Sequence, residues 1–424
     1  MKVNLVSLGC PKNLVDSERI LGALAMNGIS ISAIPEASDV IIINTCGFIK
    51  PALEETEEEI KKALSMARLS DQKVYVFGCA VNRFGNLLRN KYPKISGWFA
   101  LEDRKELLST ITNNSTTNEE SRLPTTHGYA YLKIAEGCSN CCSYCTIPSI
   151  KGKYRSFEML ELIKEATELS KLGIKEIILI AQDTTRYGCD KYDKPMLIPL
   201  IRKLSQIPDI QWIRILYAHP KSINSKIIKE IAQNEKVCKY IDLPIQHIND
   251  RILKMMNRSV TREKIRSLVK QLRGIKGLSL RTTVIVGFPT ETDDEFKELF
   301  NFLASYDFDC LGVFPYFCEQ GTEAARLPQV PASLIEERYL KILDLQQDLM
   351  KRRNAREVGK TYKTLIHSQN GHYIGHTEFL TPEIDCQIIA DIPRLRIGSF
   401  YDLKIREAKG CDLLAELDYT NEKD

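Results

Sequence analysis

Four cysteines stand within eight consecutive positions, in the stretch "GCSNCCSYC". They are Cys138, Cys141, Cys142 and Cys145. One division gives two abutting CxxC pairs, but the pairs of a structural zinc site usually come from two knuckles separated by a longer loop. The other division is CxxxCxxC, formed by Cys138, Cys142 and Cys145 on one tight loop. Three thiolates hold a 4Fe–4S cluster and leave its fourth iron open to a small molecule. The spacing favours the cluster, with zinc as the alternative.

A second set of cysteines is dispersed along the first hundred residues. Cys10 follows "NLVSLG", Cys46 follows "VIIINT" and Cys79 follows "VYVFG", each a predicted strand. The carboxyl ends of parallel strands meet at one edge, where open α/β sheets bind ligands. Separate core cysteines are the alternative, but a shared placement favours a second iron–sulfur cluster with an open iron. Six other cysteines stand singly and are expected to pack as small apolar side chains: Cys189, Cys238, Cys310, Cys318, Cys386 and Cys411.

The elements that position these cysteines fall into three parts. Residues 113–126 are almost wholly polar and predict a linker. Before it, in residues 1–112, strand-like and helix-like runs alternate, which predicts an open parallel α/β sheet. In residues 127–356, six strand patterns with intervening helix patterns predict a partial or complete β/α barrel. Residues 357–424 contain short strand-like runs, typical of a small all-β barrel or sandwich.

Composition limits the class of protein. The chain has 424 residues, 43% hydrophobic and 27% charged, with a net charge of +4. That charge alone does not indicate a nucleic-acid binder. No apolar run has the length of a membrane span, and the apolar start is too short for a signal. We therefore expect a cytoplasmic protein without membrane contact, whose 13 cysteines serve metal binding or catalysis.

The CxxxCxxC motif, with Tyr144 before its last cysteine, resembles the radical S-adenosylmethionine (SAM) signature. The resemblance implies a 4Fe–4S cluster whose open iron binds the amino and carboxylate groups of SAM. One electron then cleaves SAM to a 5′-deoxyadenosyl radical, which abstracts hydrogen from a substrate carbon. Cys141 falls at a variable position of the motif and is not required.

Over essentially its whole length the chain resembles the radical SAM methylthiotransferases. The strings "SLGCPKNLVDSE", "NTCGFI", "AQDTTRYG" and "TPEIDC" are similar to the branch that modifies a ribosomal protein. This implies two 4Fe–4S clusters and methylthiolation of the β-carbon of an aspartate in small-subunit ribosomal protein number twelve. One SAM supplies the methyl group, another supplies the radical, and a low-potential donor supplies the electron. No catalytic side chain is implied beyond the cluster ligands.

The same resemblance implies a SAM pocket at the strand ends of the barrel. Its expected members, besides Tyr144, are Gln182, Asp183, Gln246, Gly287 and Glu291. His219 and His247 also follow strands. They are either proton relays or structural histidines, and single histidines at strand ends are more often structural.

The C-terminal part resembles a TRAM domain, commonly an RNA-binding module. Residues 357–424 hold eight Lys or Arg against twelve Asp or Glu, a net charge of −4. Phosphate contacts need a basic surface, so this charge favours docking of a basic ribosomal protein through residues such as Glu378, Glu383 and Asp385. Nucleic acid is then not required. The alternative is that these charges only solvate the surface. Cys386 and Cys411 depart from the family pattern, which usually has Gly and Tyr there.

The sequence leaves two alternative functions open. The first is methylthiolation of a transfer-RNA adenosine, which the acidic C-terminal part disfavours. The second is a non-catalytic iron–sulfur or zinc protein that acts as a scaffold at the ribosome.

Overall fold

The computed structural model describes residues 1–67, 71–114, 121–306 and 308–418. The chain divides into two compact units. The first contains residues 1–125 together with two short segments, 136–139 and 145–154. The second contains the other described residues from 126 onward. Of the predicted linker 113–126, residues 115–120 lie outside the described part. No helix in the described ranges has the length and apolar character needed to cross a membrane.

The first unit is an α/β layer structure. Its strands are β1 (Lys2–Ser7), β2 (Ser30–Ile31), β3 (Val40–Thr45), β4 (Lys73–Gly78) and β5 (Gly97–Phe99). Its helices are α1 (Pro11–Met26), α2 (Lys50–Ala67), α3 (Cys79–Lys91), α4 (Arg104–Thr112) and α5 (Ile147–Lys151).

The described strands of this unit form one parallel sheet in the order β2-β1-β3-β4-β5. All six side chains of the central strand β3 are buried. Val40 and Ile42 belong to one apolar cluster, whereas Ile41 and Ile43 belong to another. Alternate side chains of a strand point to opposite faces, so the strand is covered on both sides by helices. The predicted open parallel α/β sheet is confirmed.

The second unit begins with a series of strands and helices. Its strands are β6 (Tyr129–Lys133), β7 (Ala135–Glu136), β8 (Arg155–Ser156), β9 (Glu176–Ile180), β10 (Trp212–Ile215), β11 (Tyr240–Asp242), β12 (Ser279–Val286) and β13 (Cys310–Pro315). Strand β7 has one residue in each unit. Its helices are α6 (Met159–Lys171), α7 (Leu197–Leu204), α8 (Ser225–Gln233), α9 (Asp250–Met255), α10 (Arg262–Arg273), α11 (Asp293–Ser305) and α12 (Ala332–Glu357).

These strands build a partial β/α barrel. In the described chain, β10-β9-β6 and β11-β12-β13 are two three-stranded parallel sheets. They adjoin where Ile213 donates its backbone N–H to the carbonyl of Lys236 at 2.7 Å. The helices between them are amphipathic; α10, for example, buries Ile265 and Leu268 on one face. The predicted partial barrel is confirmed.

The C-terminal part is a small β barrel. Its strands are β14 (Thr361–Asn370), β15 (His372–Thr377), β16 (Ile388–Ala390), β17 (Phe400–Lys409) and β18 (Asp412–Leu417). Among the described residues they close in the order β14-β15-β16-β18-β17 around buried Ile366, Leu403 and Leu413. This confirms the predicted small all-β domain.

The small barrel packs on the amino ends of the β/α barrel strands through buried polar groups. Glu176, the first residue of β9, is fully buried and pairs with both Arg214 and His376. Arg214 also donates to the carbonyl oxygens of Thr377 and Glu378 at 3.0 and 2.8 Å. Because each charged group here has partners, the cost of burying it is offset. The carboxyl ends of the β/α barrel strands lie at the opposite end and remain available for an active site.

Three acidic side chains that were predicted to dock the substrate make hydrogen bonds within the second unit, and their docking role stays a prediction. Glu383 accepts hydrogen bonds from the hydroxyls of Tyr129 and Tyr131, both at 2.9 Å. Asp385 accepts one from the hydroxyl of Tyr240 at 2.8 Å.

The third of these residues is engaged in the same way. Glu378 accepts a hydrogen bond from the backbone N–H of Lys239 at 3.2 Å. All three carboxylates therefore help to hold the small barrel on the larger one, and Glu383 is at the same time exposed. Exposed carboxylates of this domain, such as those of Asp402 and Glu407, have the accessibility that docking requires.

Candidate active site

The three dispersed cysteines lie at one edge of the first sheet. Cys10 follows β1 and precedes α1, Cys46 directly follows β3, and Cys79 is the first residue of α3 after β4. These strands are neighbours in the order β1-β3-β4. Their carboxyl ends stay in register, since Thr45 pairs with Gly78. The predicted common edge is therefore present, and cluster binding by these thiols stays a prediction.

The loops that carry Cys10 and Cys46 touch one another. Gly9 has φ of +85°, and a Cβ there would lie 2.7 Å from Cys46 Cβ and 2.9 Å from its Sγ. Only glycine fits both this left-handed backbone and this close approach. The sequence "SLGC" thus places Cys10 beside the next strand's cysteine.

Asn13, which sequence reasoning missed, ties the cysteine loops together. Its side chain is fully buried in the first turn of α1. Asn13 Nδ2 donates to the carbonyls of Leu8 and Thr45 at 3.2 and 2.9 Å. Asn13 Oδ1 lies 3.5 Å from Cys79 Sγ and accepts a hydrogen bond from the thiol. The one sequence feature that marks Asn13 is its position three residues after the strand-end cysteine Cys10.

Burial keeps two of these thiols protonated. It raises the pKa of the Cys46 thiol, and it raises the pKa of the Cys79 thiol to about 12. A thiolate at this edge therefore needs a metal or a nearby cation to stabilise it. In the part of the chain that the structure describes, no group of three His, Cys, Asp or Glu side chains forms a ready metal site.

The CxxxCxxC cysteines lie on the segment between β7 and α5. Cys138 and Cys145 belong to the first unit and Cys142 to the second. Within the second unit, Arg258 Nη1 lies 3.8 Å from Cys142 Sγ, and Nη2 donates to the Pro244 carbonyl at 2.6 Å. This buried guanidinium donates a hydrogen bond to the Cys142 sulfur. Sequence reasoning missed Arg258, whose position after α9 carries no motif.

Cys141 differs from Cys142 in its surroundings. Its side chain is exposed and its φ is +51°. Its carbonyl accepts a hydrogen bond from Asn257 Nδ2 at 2.8 Å. These contacts agree with the division that leaves Cys141 outside the ligand set.

Tyr144 packs edge-to-face against Phe288, with ring centroids 6.4 Å apart. Phe288 stacks in the same manner on Tyr316 at 5.7 Å. Ser143 N donates to the Met256 carbonyl at 3.1 Å. The aromatic residue of the motif is thus fixed against the loop after β12.

Asp183 is buried at the carboxyl end of β9. Its Oδ2 accepts a hydrogen bond from Asn140 Nδ2 at 3.0 Å, and its Oδ1 accepts one from the Thr185 N–H at 3.1 Å. Asp183 therefore orients the residue two positions before Cys142. Its neighbour Gln182 is half-buried at the same strand end.

Gln246 lies between the ends of β11 and β12. It has φ of +69°, its N–H donates to Thr283 O, and its carbonyl accepts from Ile285 N, both at 2.9 Å. A non-glycine residue held in the left-handed region is a strained feature that often marks a functional site. The two hydrogen bonds fix its backbone at the strand ends, and its side chain is half-buried there.

Gly287 and Glu291 organise the loop after β12. Gly287 has φ of +71°, and a Cβ there would lie 2.5 Å from Ile335 Cγ1. Glu291 Oε2 accepts from Phe288 N at 3.1 Å, and Arg338 Nη1 donates to Oε1 at 3.3 Å. Burial raises the pKa of Glu291 to about 7, although Arg338 opposes this. These contacts support a role in shaping the loop.

The two candidate histidines are held as acceptors. His219 Nδ1 accepts from Lys221 N at 3.1 Å, and His247 Nδ1 accepts from Asn249 N at 3.0 Å. Burial lowers the pKa of His219 to about 2 and that of His247 to about 3. Both rings stay neutral near pH 7, which favours the structural alternative.

Three family models match the chain in succession. They are an uncharacterized protein family (UPF0004) at residues 2–100, the Radical SAM superfamily at 132–303 and a TRAM domain at 358–417. A ribosomal protein uS12 methylthiotransferase RimO from Caldicellulosiruptor saccharolyticus is 42% identical, covering 98% of this chain and 100% of that protein. The RimO of Alkaliphilus oremlandii is 40% identical over 100% of both chains. This chain belongs to the RimO family.

Membership of the RimO family confirms the predicted enzyme class, a radical SAM methylthiotransferase that uses iron–sulfur and SAM. It does not favour the tRNA or the non-catalytic alternative. Among solved structures, the radical SAM methyltransferase TsrM from Kitasatospora setae matches with a TM-score of 0.57 and 13% identity. The match covers 76% of this chain and 73% of TsrM. It shows the shared fold.

Proposed function

We propose that the protein attaches a methylthio group to the β-carbon of an aspartate in ribosomal protein uS12, and that it uses two 4Fe–4S clusters. The observation that carries the two-cluster proposal is the placement of three cysteines at the ends of three adjacent parallel strands. This set is separate in sequence from the CxxxCxxC motif. A radical enzyme that only cleaves SAM needs one cluster, whereas sulfur insertion needs a second place to hold sulfur.

The residues of the first unit suit a cluster with one open iron. Cys10, Cys46 and Cys79 would hold it as thiolates, the preferred ligands of iron–sulfur clusters. The close approach at Gly9 and the hydrogen bonds of Asn13 keep the loops together. The buried cation Lys151 opposes the rise that burial causes in the pKa of the Cys79 thiol, which supports a negatively charged group there.

Cys138, Cys142 and Cys145 would hold the other cluster. When bound, the two clusters supply the electron that cleaves SAM and a site for the sulfur to be transferred. Arg258 donates a hydrogen bond to the Cys142 sulfur, and Asp183 orients the loop through Asn140.

We infer that the carboxyl ends of β9, β11 and β12 shape the SAM pocket. Gln182 and Gln246 would present polar groups to SAM, while Tyr144 would bound the pocket. Gly287 and Glu291 would set the course of the loop after β12. These side chains bind and orient, and the proposal assigns no proton transfer to them.

The proposed domains are residues 1–112 for the auxiliary cluster, a linker at 113–126, the radical SAM core at 127–356 and the TRAM domain at 357–424. The three matched family models support this division. The partners are uS12, free or in the ribosome, and a low-potential electron donor; neither nucleic acid nor a membrane is required. A ribosomal substrate places the reaction in the cytoplasm.

The test is reconstitution under anaerobic conditions, followed by metal analysis and mass spectrometry of uS12. Two clusters require about eight irons with matching sulfide per chain. With SAM, a reductant and sulfide, uS12 should gain one methylthio group on an aspartate. Stoichiometric zinc, or about four irons with no product, would contradict the proposal.

A further inference from the structure

Helix α10 and the three residues that follow it concentrate the positive charge of the chain. Residues 262–276 hold six Lys or Arg and one Glu, a net charge of +5. The whole chain has a net charge of +4, so all its other residues together carry −1. The segment contains none of the candidate site residues. Its charge therefore serves something other than the clusters or the SAM pocket.

One face of α10 is buried, and the opposite face carries the charge. The buried side chains are apolar: Ile265, Leu268, Val269 and Leu272. Arg266 and Lys270 are exposed on the other face. Because they are four residues apart, they lie next to each other on the helix surface. Like charges at this spacing repel each other, and an anion bound by both would remove the repulsion.

Arg266 and Lys270 line a groove, which we call the α10 groove. It has a volume of about 790 Å³ and lies between α10 and the end of α11. Tyr306 also lines it, and the Tyr306 ring packs on Phe302 with ring centroids 4.5 Å apart. An aromatic ring beside basic side chains suits the stacking of a nucleic-acid base.

The charges of the α10 groove are not balanced by partners. Arg273, which also lines it, donates to Asp309 Oδ2 at 2.6 Å. In the part of the chain that the structure describes, the side chains of Arg266 and Lys270 form no hydrogen bond or ion pair. The groove also contains two carboxylates, at the end formed by the starts of α9 and α10: Asp250 and Glu263. The half of the groove along the rest of α10 is therefore basic and accessible.

We propose that the α10 groove binds the phosphate backbone of RNA, and that this RNA is the ribosomal RNA next to uS12. Arg266 and Lys270 contact phosphates, and Tyr306 stacks on a base. Phosphate contacts need a basic surface, which the C-terminal part, with its net charge of −4, does not supply. The identity of the RNA rests on the proposed function, since uS12 is a ribosomal protein. The contact adds affinity for the assembled ribosomal subunit and takes no part in the reaction.

The first test measures RNA binding by the reconstituted full-length enzyme. The probe is a labelled single-stranded oligonucleotide of small-subunit ribosomal RNA, titrated at about 50 and about 200 mM salt. Arg266→Gln combined with Lys270→Gln removes two phosphate contacts, so the slope of log affinity against log salt should decrease by about 1.4. The ratio of wild-type to variant affinity should therefore fall about sevenfold between the two salt concentrations. An unchanged affinity and slope would overturn the proposal.

Two matched variants separate the α10 groove from the overall charge. Lys226→Gln with Lys229→Gln removes the same charge from exposed positions of α8, and this variant should bind RNA as the wild type does. Arg266→Lys with Lys270→Arg keeps both cations and should also bind normally. Equal weakening by the α8 substitutions would show that the charges only form a solvated surface, and the groove would not be the site.

The second test compares two forms of uS12. With uS12 in intact small ribosomal subunits, the Arg266→Gln, Lys270→Gln variant should show a raised KM for methylthiolation. With free uS12 it should react as the wild type does, and its formation of 5′-deoxyadenosine should be unchanged. An equal defect with both forms would mean that the groove docks protein and would overturn the proposal.

Failure of this inference and failure of the proposed function give different results. A wild-type enzyme that methylthiolates uS12 but does not bind the RNA would refute this inference alone. A wild type that binds the RNA through Arg266 and Lys270 but modifies uS12 in neither form would refute the proposed function and leave the RNA groove established.

Discussion

Asn13 donates a 2.9 Å hydrogen bond to the carbonyl of Thr45, the residue immediately before Cys46. The bond joins the first turn of α1, just after Cys10, to the end of the neighbouring strand β3. Because Asn13 also accepts from the Cys79 thiol, one buried amide connects the regions of all three cysteines. The thiol edge is thus held by a side chain that is not itself a metal ligand.

Substitution of Asn13 by Ala should therefore impair the first unit. Loss of its buried hydrogen bonds leaves carbonyls unsatisfied and should lower the free energy of unfolding by about 1–3 kcal/mol. Iron content should fall from about eight toward about four per chain, because only one cluster site is disturbed. Chemical denaturation and metal analysis measure both effects. The exposed Asn86→Ala is the control, and an Asn13→Ala protein with full iron would show that the tie is dispensable.

The CxxxCxxC division predicts unequal cysteines. Ala at Cys138, Cys142 or Cys145 should abolish formation of 5′-deoxyadenosine from SAM. Cys141→Ala should leave it largely intact, since this side chain is exposed. Chromatographic detection of 5′-deoxyadenosine after reduction checks the prediction. The division is wrong if Cys141→Ala loses the activity while one of the other three retains it.

The strand-end cysteines should affect a later step. Replacing Cys10, Cys46 or Cys79 by Ala should spare 5′-deoxyadenosine formation but prevent methylthiolation, because the radical is generated at the other cluster. Both products can be measured in the same reaction. Methylthio product from a triple Cys-to-Ala variant would rule out the two-cluster proposal.

The buried contacts between the two barrels of the second unit predict an acid sensitivity. Burial raises the pKa of Glu176, but Arg214 and His376 more than offset this and lower it from 4.5 to about 2. A lowered pKa gives stability that is present above about pH 4.5 and is lost as the pH falls toward 2. Thermal unfolding across this range should show the loss in the wild type.

Glu176→Gln provides the comparison. Removing one partner of a buried ion pair should cost about 3–5 kcal/mol near pH 7, because Arg214 is left without its carboxylate. The variant should also lose part of the acid dependence between pH 4.5 and 2. Glu407→Gln, at an exposed carboxylate of the same compact unit, is the matched control. Equal melting profiles for all three proteins would contradict the role of Glu176.

The sequence predicted the cysteine placement well because each cysteine directly follows an apolar run. Cys46 after "VIIINT" illustrates this: a strand buried on both faces is nearly continuously apolar, and its end is easy to locate. The ion pair between Lys151 and Glu136 could not be found in this way, since the two residues meet only through the fold.

Charge counts misled for a related reason. The net charge of −4 suggested that Asp385 was accessible, yet its side chain is 2% exposed and accepts a hydrogen bond from buried Tyr240. Composition reports how many charges a domain has, and only the packing reports which of them remain exposed.

The measurement that tests the proposed function most directly is mass spectrometry of uS12 after reaction with the reconstituted enzyme, SAM, reductant and sulfide. A parallel reaction with bulk transfer RNA is analysed for modified adenosine. We expect a single methylthio group on one aspartate of uS12 and no change in the RNA. Methylthiolated adenosine with unmodified uS12 would contradict the proposal and establish the RNA-modifying alternative.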